Sequence, residues 1–376
     1  MRTSVRLALA CAVAVSCTLF ARAPARAIPL FAQRYQLQCS ACHSVLPELN
    51  AFGTAFRARG YQLPIPKHGT TGVAFRYQLE WEASPAVGTR RFAPGGVLLS
   101  NADIGAVSAF IHYNFGAGGG PAGLFLGYLA TYNAHTQSLY RLGLFELPLA
   151  QSPGQRLDDL APYGYYGAHV GLNDLSLSSP RWGIQAERTI GSVTADFTVA
   201  LGEFKGSAYG GKPVPTGETT AANSPEIGMF LRAPLTSGVQ VGGDFITGSR
   251  RIVPAGRNTF SDSYQRAGVL AKLTVRNIDL QAEQWWGTDL NSDGFGTRTG
   301  SSGGYARLKY YVTPHAYLGV RYDAQAVPFI SRDFVYYAAF HVTQHARLLI
   351  QQFQPVGGPG RLGAALTVGF PWPPKL

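Results

Sequence analysis

The sequence has little charge and almost no sulfur. Of its 376 residues, 14% are charged, 2 are methionine and 4 are cysteine, whereas 46% are hydrophobic. A chain this apolar does not belong to the disordered class. Beyond its first residues, it has no apolar run long enough for a membrane-spanning helix. The motifs of nucleotide-binding loops, serine hydrolases and zinc peptidases are also missing, so these functions have no support in the sequence.

The N-terminus has the pattern of an export signal. Two arginines precede an apolar run over residues 7–20, and an Ala-Arg-Ala cleavage site ends at residue 27. We therefore expect residues 1–27 to be a signal peptide and the mature chain to begin at Ile28. Lipoprotein processing at Cys17 is the alternative.

The chain is basic, but its basic residues are not clustered. The formal net charge is +11, and removal of residues 1–27 takes away four arginines and leaves +7. A nucleic-acid-binding protein would concentrate lysine and arginine in one patch. Here they are scattered singly through apolar, alternating segments. We therefore expect no nucleic-acid partner. Contact with an anionic membrane surface is one explanation for the excess of positive charge.

From residue 71 onwards, the hydrophobic pattern has the period of a β-strand. Residues 72–82 read Gly-Val-Ala-Phe-Arg-Tyr-Gln-Leu-Glu-Trp-Glu, with apolar and polar side chains alternating. Runs of this kind have about ten residues, the length of a tilted transmembrane strand. The alternation recurs over residues 181–190, 192–203, 263–275, 278–287, 305–312, 316–326, 334–342 and 347–354, with a last strand over residues 362–370.

The connections between these runs favour a membrane barrel over a soluble sandwich. Short links near residues 191, 276 and 313 alternate with long ones over residues 204–225, 247–262 and 288–304. Outer-membrane barrels have short turns on one side and long loops on the other. We predict an all-β, transmembrane antiparallel β-barrel of about 16 strands over residues 69–376. Strands and connections are not regularly spaced between residues 98 and 173, so barrels of about 14 or 18 strands are alternatives.

One short motif indicates a covalently bound cofactor. Residues 39–43 read Cys-Ser-Ala-Cys-His, which is the attachment signature of a c-type haem. In such a site, two thiols add to the haem vinyl groups and the histidine binds the iron. The motif predicts one covalent haem c, attached through Cys39 and Cys42 and ligated by His43. A disulfide between the two cysteines is the alternative, although two intervening residues are a tight span for a bridge.

The cytochrome segment, residues 28–68, is too short to fold alone. So few residues cannot enclose a haem with a hydrophobic core of their own. We therefore expect the rest of the chain to supply the walls. Leu49, Phe52 and Phe56 are three and four residues apart, which predicts a short amphipathic helix that ends near Gly60. This helix would form part of an N-terminal helical haem plug.

The second axial ligand of the iron is not determined by the sequence. His68 is the nominal distal ligand, because its short tether to the motif lets it reach the iron. Met229, His112 and His341 are alternatives. The two histidines fall on the polar, inward-facing phase of their strands.

Residues 289–294, Asp-Leu-Asn-Ser-Asp-Gly, begin like a calcium-binding loop. Such a loop needs glutamate at its twelfth position, and this chain has Gly300 there. We therefore favour an ordinary loop tip rich in Asp, Asn and Gly.

The N-terminal part of the chain resembles a known family. The likeness is carried by Phe31-Ala32, the motif at residues 39–43, the stretch Pro-Glu-Leu-Asn-Ala-Phe-Gly at residues 47–53, and residues 56–61. These residues are similar to the start of the fused cytochrome-porins, which join a short monohaem plug to a porin-like barrel of about 16 strands. The family includes outer-membrane cytochromes that oxidise iron(II) at the cell surface. The resemblance implies that Cys39, Cys42 and His43 are the haem site.

Together, these features predict an electron-transfer protein in the outer membrane of a Gram-negative bacterium. The haem segment is expected in the periplasmic mouth or lumen of the barrel, and the outer wall is expected to contact lipid. Electrons would pass from an extracellular donor to a periplasmic cytochrome or other carrier, and the resemblance implies iron(II) as the donor. The rivals are a diffusion porin with a structural haem domain and a peroxidase-like haem enzyme.

Overall fold

Sixteen antiparallel strands close into a single barrel, as the alternating pattern predicts. Consecutive strands pair with each other, and the last strand pairs with the first, so that Ala365 lies opposite Glu80. Two short paired strands, β1 (His43–Val45) and β2 (Glu48–Leu49), precede the barrel. The barrel strands are β3 (Thr71–Ser84), β4 (Thr89–Ile104), β5 (Val107–Phe115), β6 (Gly123–Asn133), β7 (Ser138–Phe145), β8 (Arg181–Ile190), β9 (Val193–Glu203), β10 (Thr219–Thr236), β11 (Val239–Val253), β12 (Phe260–Val275), β13 (Ile278–Asp289), β14 (Thr299–Thr313), β15 (Ala316–Gln325), β16 (Ser331–His341), β17 (Ala346–Pro355) and β18 (Arg361–Trp372).

The computed structural model describes most of the chain after residue 28. The described residues are 29–45, 48–63, 71–84, 88–116, 122–151, 159–203, 219–254, 256–326, 330–343 and 346–372. The predicted signal peptide, residues 1–27, and the nominal distal ligand His68 lie outside these ranges.

The two ends of the barrel differ in their connections. At the end that we call the short-turn end, strands are joined by residues 105–106, 134–137, 191–192, 237–238, 276–277, 314–315 and 342–345. At the long-loop end, the connections are residues 85–88, 116–122, 146–180, 204–218, 254–259, 290–298, 326–330 and 356–360. This asymmetry was predicted from the sequence and is typical of outer-membrane barrels.

Several strands are longer than predicted. β8 coincides with its predicted run, whereas β10, β11 and β12 have 18, 15 and 16 residues. Backbone pairing between β11 and β12 continues as far as Ile252 opposite Phe260. The predicted long loop over residues 247–262 is therefore reduced to residues 254–259. Ladder hydrogen bonds need only backbone groups, so pairing can extend beyond the part of a strand that alternation identifies.

Side chains alternate between the lumen and the outer surface. Along β12, buried and exposed residues alternate from Ser261 to Ala271. The exposed positions around the barrel carry large apolar side chains, among them Leu142, Ile184, Leu201, Val269 and Leu318. An apolar belt of this kind is suited to contact with lipid.

Three short helices precede the barrel: α1 (Pro29–Tyr35), α2 (Cys39–Cys42) and α3 (Ala51–Ala58). With their connections, residues 29–45 and 48–63 form what we call the N-terminal segment. α3 ends as predicted, because Gly60 adopts a left-handed φ of 61° and the Tyr61 N–H donates to the Phe56 carbonyl at 2.9 Å. No helix within the described ranges is long and apolar enough to cross a lipid bilayer.

A second segment enters the barrel from the long-loop end. Between β7 and β8, residues 146–151 and 159–180 fold inward, and we call them the infolded segment. It contains one 3-10 turn, Tyr165–Gly167, and packs tyrosines and leucines on the inward-facing Phe230 and Trp285. The segment lies in the region where the sequence has no regular spacing of strands, and its inward fold explains why.

Candidate functional site

The Cys-x-x-Cys-His motif forms one tight turn. α2 begins at Cys39 and ends at Cys42, and His43 follows at once as the first residue of β1. Cys42 is a free, half-buried thiol that packs against an aromatic cluster. Burial raises the pKa of Cys42 above its usual value. Two cysteines one helical turn apart, with a histidine next in the chain, are what the predicted haem attachment requires.

Asn50 and Gly53 fix this turn in place. The Asn50 backbone N–H donates to the Cys42 carbonyl (2.9 Å), and Asn50 Nδ2 donates to the Ala41 carbonyl (3.0 Å). Asn50 Oδ1 also accepts the Gly53 N–H (2.9 Å), which caps α3. A Cβ atom at residue 53 would lie 2.0 Å from the Cys42 carbonyl oxygen. α3 can therefore approach the turn only because residue 53 is glycine.

Neither Asn50 nor Gly53 was predicted as part of the site, although the sequence carries a signal for each. An asparagine directly before a helical pattern is a typical N-cap. An isolated glycine within such a pattern often has a packing or functional reason. The sequence does not show which backbone approaches Gly53; in the structure it is the backbone of the Cys-x-x-Cys-His turn.

Aromatic rings form an apolar wall beside Cys42. Phe31 stacks on Tyr61 with ring centres 4.1 Å apart and meets Phe56 edge to face at 5.6 Å. Phe52 stacks on Phe56 at 6.2 Å, yet it is 41% exposed. The motif therefore lies against an apolar surface that is open on one side. Such a surface fits a large, flat, apolar cofactor such as haem.

The N-terminal segment is bound to the barrel wall at the short-turn end. Arg34, a buried residue of α1, forms an ion pair with Asp103 near the end of β4. Gln62 Nε2 donates to Ser108 Oγ (2.9 Å) near the start of β5. Asp103 and Ser108 flank the turn at residues 105–106, so the segment occupies the lumen at this end.

Of the alternatives to His68 as a second axial ligand, the two histidines lie where their phase predicts. His112 and His341 are buried and face the lumen. His112 Nε2 lies 3.1 Å from Asn114 Oδ1. Met229 points outward from β10 and is 47% exposed, so it cannot reach a haem inside the barrel. His68 stays a prediction, because it lies outside the described residues.

The calcium-like loop bonds to itself. Asp293 Oδ1 accepts the Phe295 N–H (2.8 Å), and Asn291 Oδ1 accepts the Gly296 N–H (2.6 Å). Oxygens that a cation would need are thus used by the loop's own backbone, as expected for a loop tip. Across the described part of the chain, no group of three or more His, Cys, Asp or Glu side chains is placed to hold a metal ion.

Buried charges anchor the infolded segment to the far wall of the barrel. Arg321 on β15 donates from Nη1 to Asp159 (2.6 Å) and from Nε to Asp323 (2.9 Å). The Arg321 guanidinium carbon also lies 3.8 Å from the centre of the Tyr163 ring. Because these groups are almost entirely shielded from water, each charge depends on its partner.

The same segment bonds to three further strands. Asn173 Nδ2 donates to Asp262 on β12 (2.8 Å) and to Asp289 on β13 (3.1 Å). Arg250 on β11 forms an ion pair with Asp174 (3.1 Å). The infolded segment is therefore fixed on several sides of the lumen.

Little of the lumen wall is accessible to water. Each of the sixteen strands has at least one inward-facing side chain that is at most 3% exposed. Some of these are polar or charged groups that a water-filled pore would leave hydrated, such as Asn114, Thr198, Arg307 and Arg321. The N-terminal segment covers the wall from β3 to β7, and the infolded segment covers much of the opposite side.

Comparison with solved structures identifies the fold as that of porins. The outer-membrane channel DcaP of Acinetobacter baumannii matches 80% of this chain and 96% of its own, at 9% identity and a TM-score of 0.55. An anion-selective porin from Comamonas acidovorans matches 81% of this chain and 99% of its own, at 11% identity and a TM-score of 0.56. Salmonella typhi OmpF, in complex with daunomycin, matches 80% and 97%, at 11% identity and a TM-score of 0.56. No family model and no curated protein matches the sequence.

Proposed function

We propose that this chain is an outer-membrane electron-transfer protein that carries one covalent haem c. The observation that carries the proposal is the Cys-x-x-Cys-His turn, which Asn50 and Gly53 hold against an aromatic wall in one mouth of a porin-like barrel. A haem bound there supplies one-electron Fe(II)/Fe(III) chemistry. Electrons would pass from an extracellular donor to a periplasmic carrier.

The roles of the chain's own residues follow from their positions. Cys39 and Cys42 would form the two thioethers, and His43 would be the proximal iron ligand. Asn50 holds the Ala41 and Cys42 carbonyls, so it restrains the end of the turn from which His43 follows. The aromatic wall around Phe56 would exclude water from one side of the site.

The outer membrane is the proposed location. The export signal, the apolar belt on the outer wall and the porin fold support it. In outer-membrane barrels the short turns face the periplasm. The N-terminal segment would then lie on the periplasmic side, where a soluble carrier can reach it.

The covered lumen favours transfer of electrons over passage of solutes. A diffusion pore needs a continuous column of water, and the inward-facing side chains of this barrel are largely shielded from water. The barrel would instead act as an insulating shell that places a single redox centre between two compartments. Iron(II) is the proposed donor, and this assignment rests on the resemblance to iron-oxidising cytochrome-porins.

A diffusion porin with a structural haem domain is the second candidate, because the fold is shared with porins. It predicts solute conductance in planar bilayers that persists after His43→Ala. The electron-transfer proposal predicts little conductance in the unmodified protein and no change with that substitution.

Anaerobic stopped-flow spectroscopy of the purified protein in detergent tests the proposal. Mixing with iron(II) should produce the reduced haem bands, and His43→Ala should abolish their rapid appearance. Cys39→Ser and Cys42→Ser should each lower the amount of haem that stays attached to the protein on a denaturing gel. This readout is independent of electron transfer. A protein that matures with no covalent haem overturns the proposal. A haem that dithionite reduces but iron(II) does not would exclude iron(II) alone.

A further inference from the structure

Two carboxylates face each other near the long-loop end of the barrel. Asp323 on β15 is directly opposite Asp333 on β16 in the strand register. Both lie on the lumen side, because they share the phase of the buried Arg321 and Val335. Side chains that are directly opposite in an antiparallel pair are in contact range, and like charges in this position are destabilising. We call Asp323 and Asp333 the carboxylate pair, and a cation between them would remove the repulsion.

The arginines beside the carboxylate pair are shared with other carboxylates. Arg321, which bonds to Asp323, also forms a fully buried ion pair with Asp159 (2.6 Å). Arg361 acts electrostatically on the other member of the pair, but its own partner is Glu82 (3.1 Å). Arg332 has the opposite phase and points to the outer surface. Two inward-facing arginines thus stand beside four carboxylates, in a chain that is basic as a whole.

Two buried oxygen atoms at this place have no hydrogen-bond partner. Asp323 is only 4% exposed, and its Oδ2 accepts a bond from Arg321 (2.9 Å), whereas its Oδ1 accepts none. Gln325 lies two residues further on, on the same face of β15, and its Oε1 is also buried and unpaired. Buried polar atoms in native folds are nearly always satisfied, and an ion is one of the groups that satisfies them. Both atoms are acceptors, so they fit a cation.

The site can be reached from the mouth of the barrel. Gln325 is the last residue of β15, and Asp333 is the third residue of β16. The connection between the two strands, residues 326–330, is at the long-loop end. Asp333 is half-buried, so water has access to it. In the proposed orientation this end faces the cell exterior, and an ion would reach the carboxylate pair without crossing the lumen.

We infer that Asp323, Asp333 and Gln325 form a binding site for a divalent cation on the extracellular side. Two carboxylates and one amide carbonyl supply the oxygen ligands that hard divalent ions prefer. Calcium takes about six to eight oxygen ligands, whereas smaller ions bind through one or two carboxylates and keep several waters. Three protein ligands therefore suit an ion smaller than calcium.

The assignment of this ion to iron(II) rests on the proposed function, whereas the site itself does not. Iron(II) is the proposed electron donor and arrives from outside. A mouth with excess negative charge raises the local concentration of cations. The site would therefore hold the donor on the side from which it arrives.

Mn(II) is the probe for the site, because it has the charge of Fe(II), suits oxygen ligands, and loses the EPR signal of the free ion when it binds. We expect the purified haem protein to bind one Mn(II) per chain. Asp333→Asn should weaken this binding by about tenfold or more, because it removes one of two charged ligands. The substitution leaves the bond between Arg321 and Asp323 in place, so the fold should be kept.

Asp293→Asn is the matched control. It removes the same charge at the same end of the barrel, on the loop at residues 290–298, where Asp293 bonds to its own backbone. It should change the affinity for Mn(II) by less than about twofold. Gln325→Met keeps the size of the side chain without its amide oxygen and should weaken binding by about threefold. Equal affinities of the unmodified protein and Asp333→Asn would overturn the inference.

Competition then assigns the ion. With the haem reduced in advance, Fe(II) should displace Mn(II) at a lower concentration than Ca(II) or Mg(II) requires. Asp333→Asn should also raise, by about tenfold, the iron(II) concentration that gives half the maximal rate of haem reduction, while reduction by dithionite stays the same. An unchanged dependence on iron(II), or stronger competition by Ca(II), would overturn the assignment to iron(II). Absence of covalent haem would instead overturn the proposed function, and the Mn(II) titration, which needs no haem, would still decide whether the site exists.

Discussion

Two segments enter the barrel from opposite ends, and they are held in different ways. The N-terminal segment packs through stacked rings such as Phe31 on Tyr61, with polar anchors that include the Arg34–Asp103 pair. The infolded segment also packs tyrosines and leucines on the wall, but it is held in addition by several buried charges, of which Arg321 between two carboxylates is the clearest example.

The difference follows from what each kind of contact demands. Aromatic packing is tolerant of small shifts, because dispersion and apolar burial have little directional preference. A buried ion pair has one good geometry, and loss of either partner leaves a charge without compensation. The segment with the Cys-x-x-Cys-His turn is thus held mainly by contacts that can adapt to a large cofactor. The segment that covers much of the opposite side of the lumen is fixed by buried pairs of defined geometry.

The largest effect is expected from Arg321→Met. This change removes the cation between Asp159 and Asp323, and breaking a buried pair costs about 3–5 kcal/mol. The infolded segment should open locally, with faster hydrogen exchange over residues 159–166 and a rise in bilayer conductance. Arg361→Met, which breaks an exposed pair with Glu82, should cost under about 1 kcal/mol. Similar exchange rates in the two variants would contradict the anchoring role of Arg321.

Gly53→Ala should disturb the N-terminal segment while the barrel stays folded. The added Cβ would meet the Cys42 carbonyl oxygen at 2.0 Å, and overpacking of this kind costs about 1–3 kcal/mol. The expected result is faster proteolysis within residues 29–63 and less haem attached per folded barrel. Gly300→Ala is the control, since a Cβ there meets nothing within 4 Å. Unchanged haem content in Gly53→Ala would show that α3 does not hold the turn.

Arg34→Met tests whether the two segments differ as their contacts suggest. Asp103 keeps a hydrogen bond from Ser108 (2.6 Å) and its side chain is 12% exposed, whereas the Asp159 side chain is 0% exposed and has no access to water. We expect a cost of about 1–2 kcal/mol, below that of Arg321→Met. Hydrogen exchange of α1 in the variant measures it. A cost equal to that of Arg321→Met would show that the two segments depend equally on their buried ion pairs.

The barrel could be predicted from the sequence because its pattern is local. Each strand residue faces either the outside or the lumen, so β8 is visible in ten consecutive residues, Arg181–Ile190. The infolded segment could not be predicted, because its contacts are distant in the chain. Asp159 bonds to Arg321, 162 residues away, and neither neighbourhood contains a sign of the other.

The candidate site likewise has one part that the sequence predicts and one part that it does not. The residues that would bind haem are consecutive, and the chemistry of Cys39, Cys42 and His43 is recognisable from their spacing alone. Asn50 and Gly53 support them through a close approach of two backbones, which depends on how α3 packs. A distal ligand would depend on how the chain packs around the iron, and His68 as that ligand stays a prediction.

The smallest effect is expected from substitutions of Asn50, and they separate its two roles. Asn50→Ala removes both the α3 cap and the bond to the Ala41 carbonyl, and cap loss alone costs about 1 kcal/mol. Asn50→Asp keeps an oxygen for the Gly53 N–H but has no donor for Ala41. If the cap dominates, Asn50→Asp should restore normal hydrogen exchange of α3. If the bond to the turn dominates, both variants should lower haem attachment equally, and the role of Asn50 would be to shape the motif rather than to start the helix.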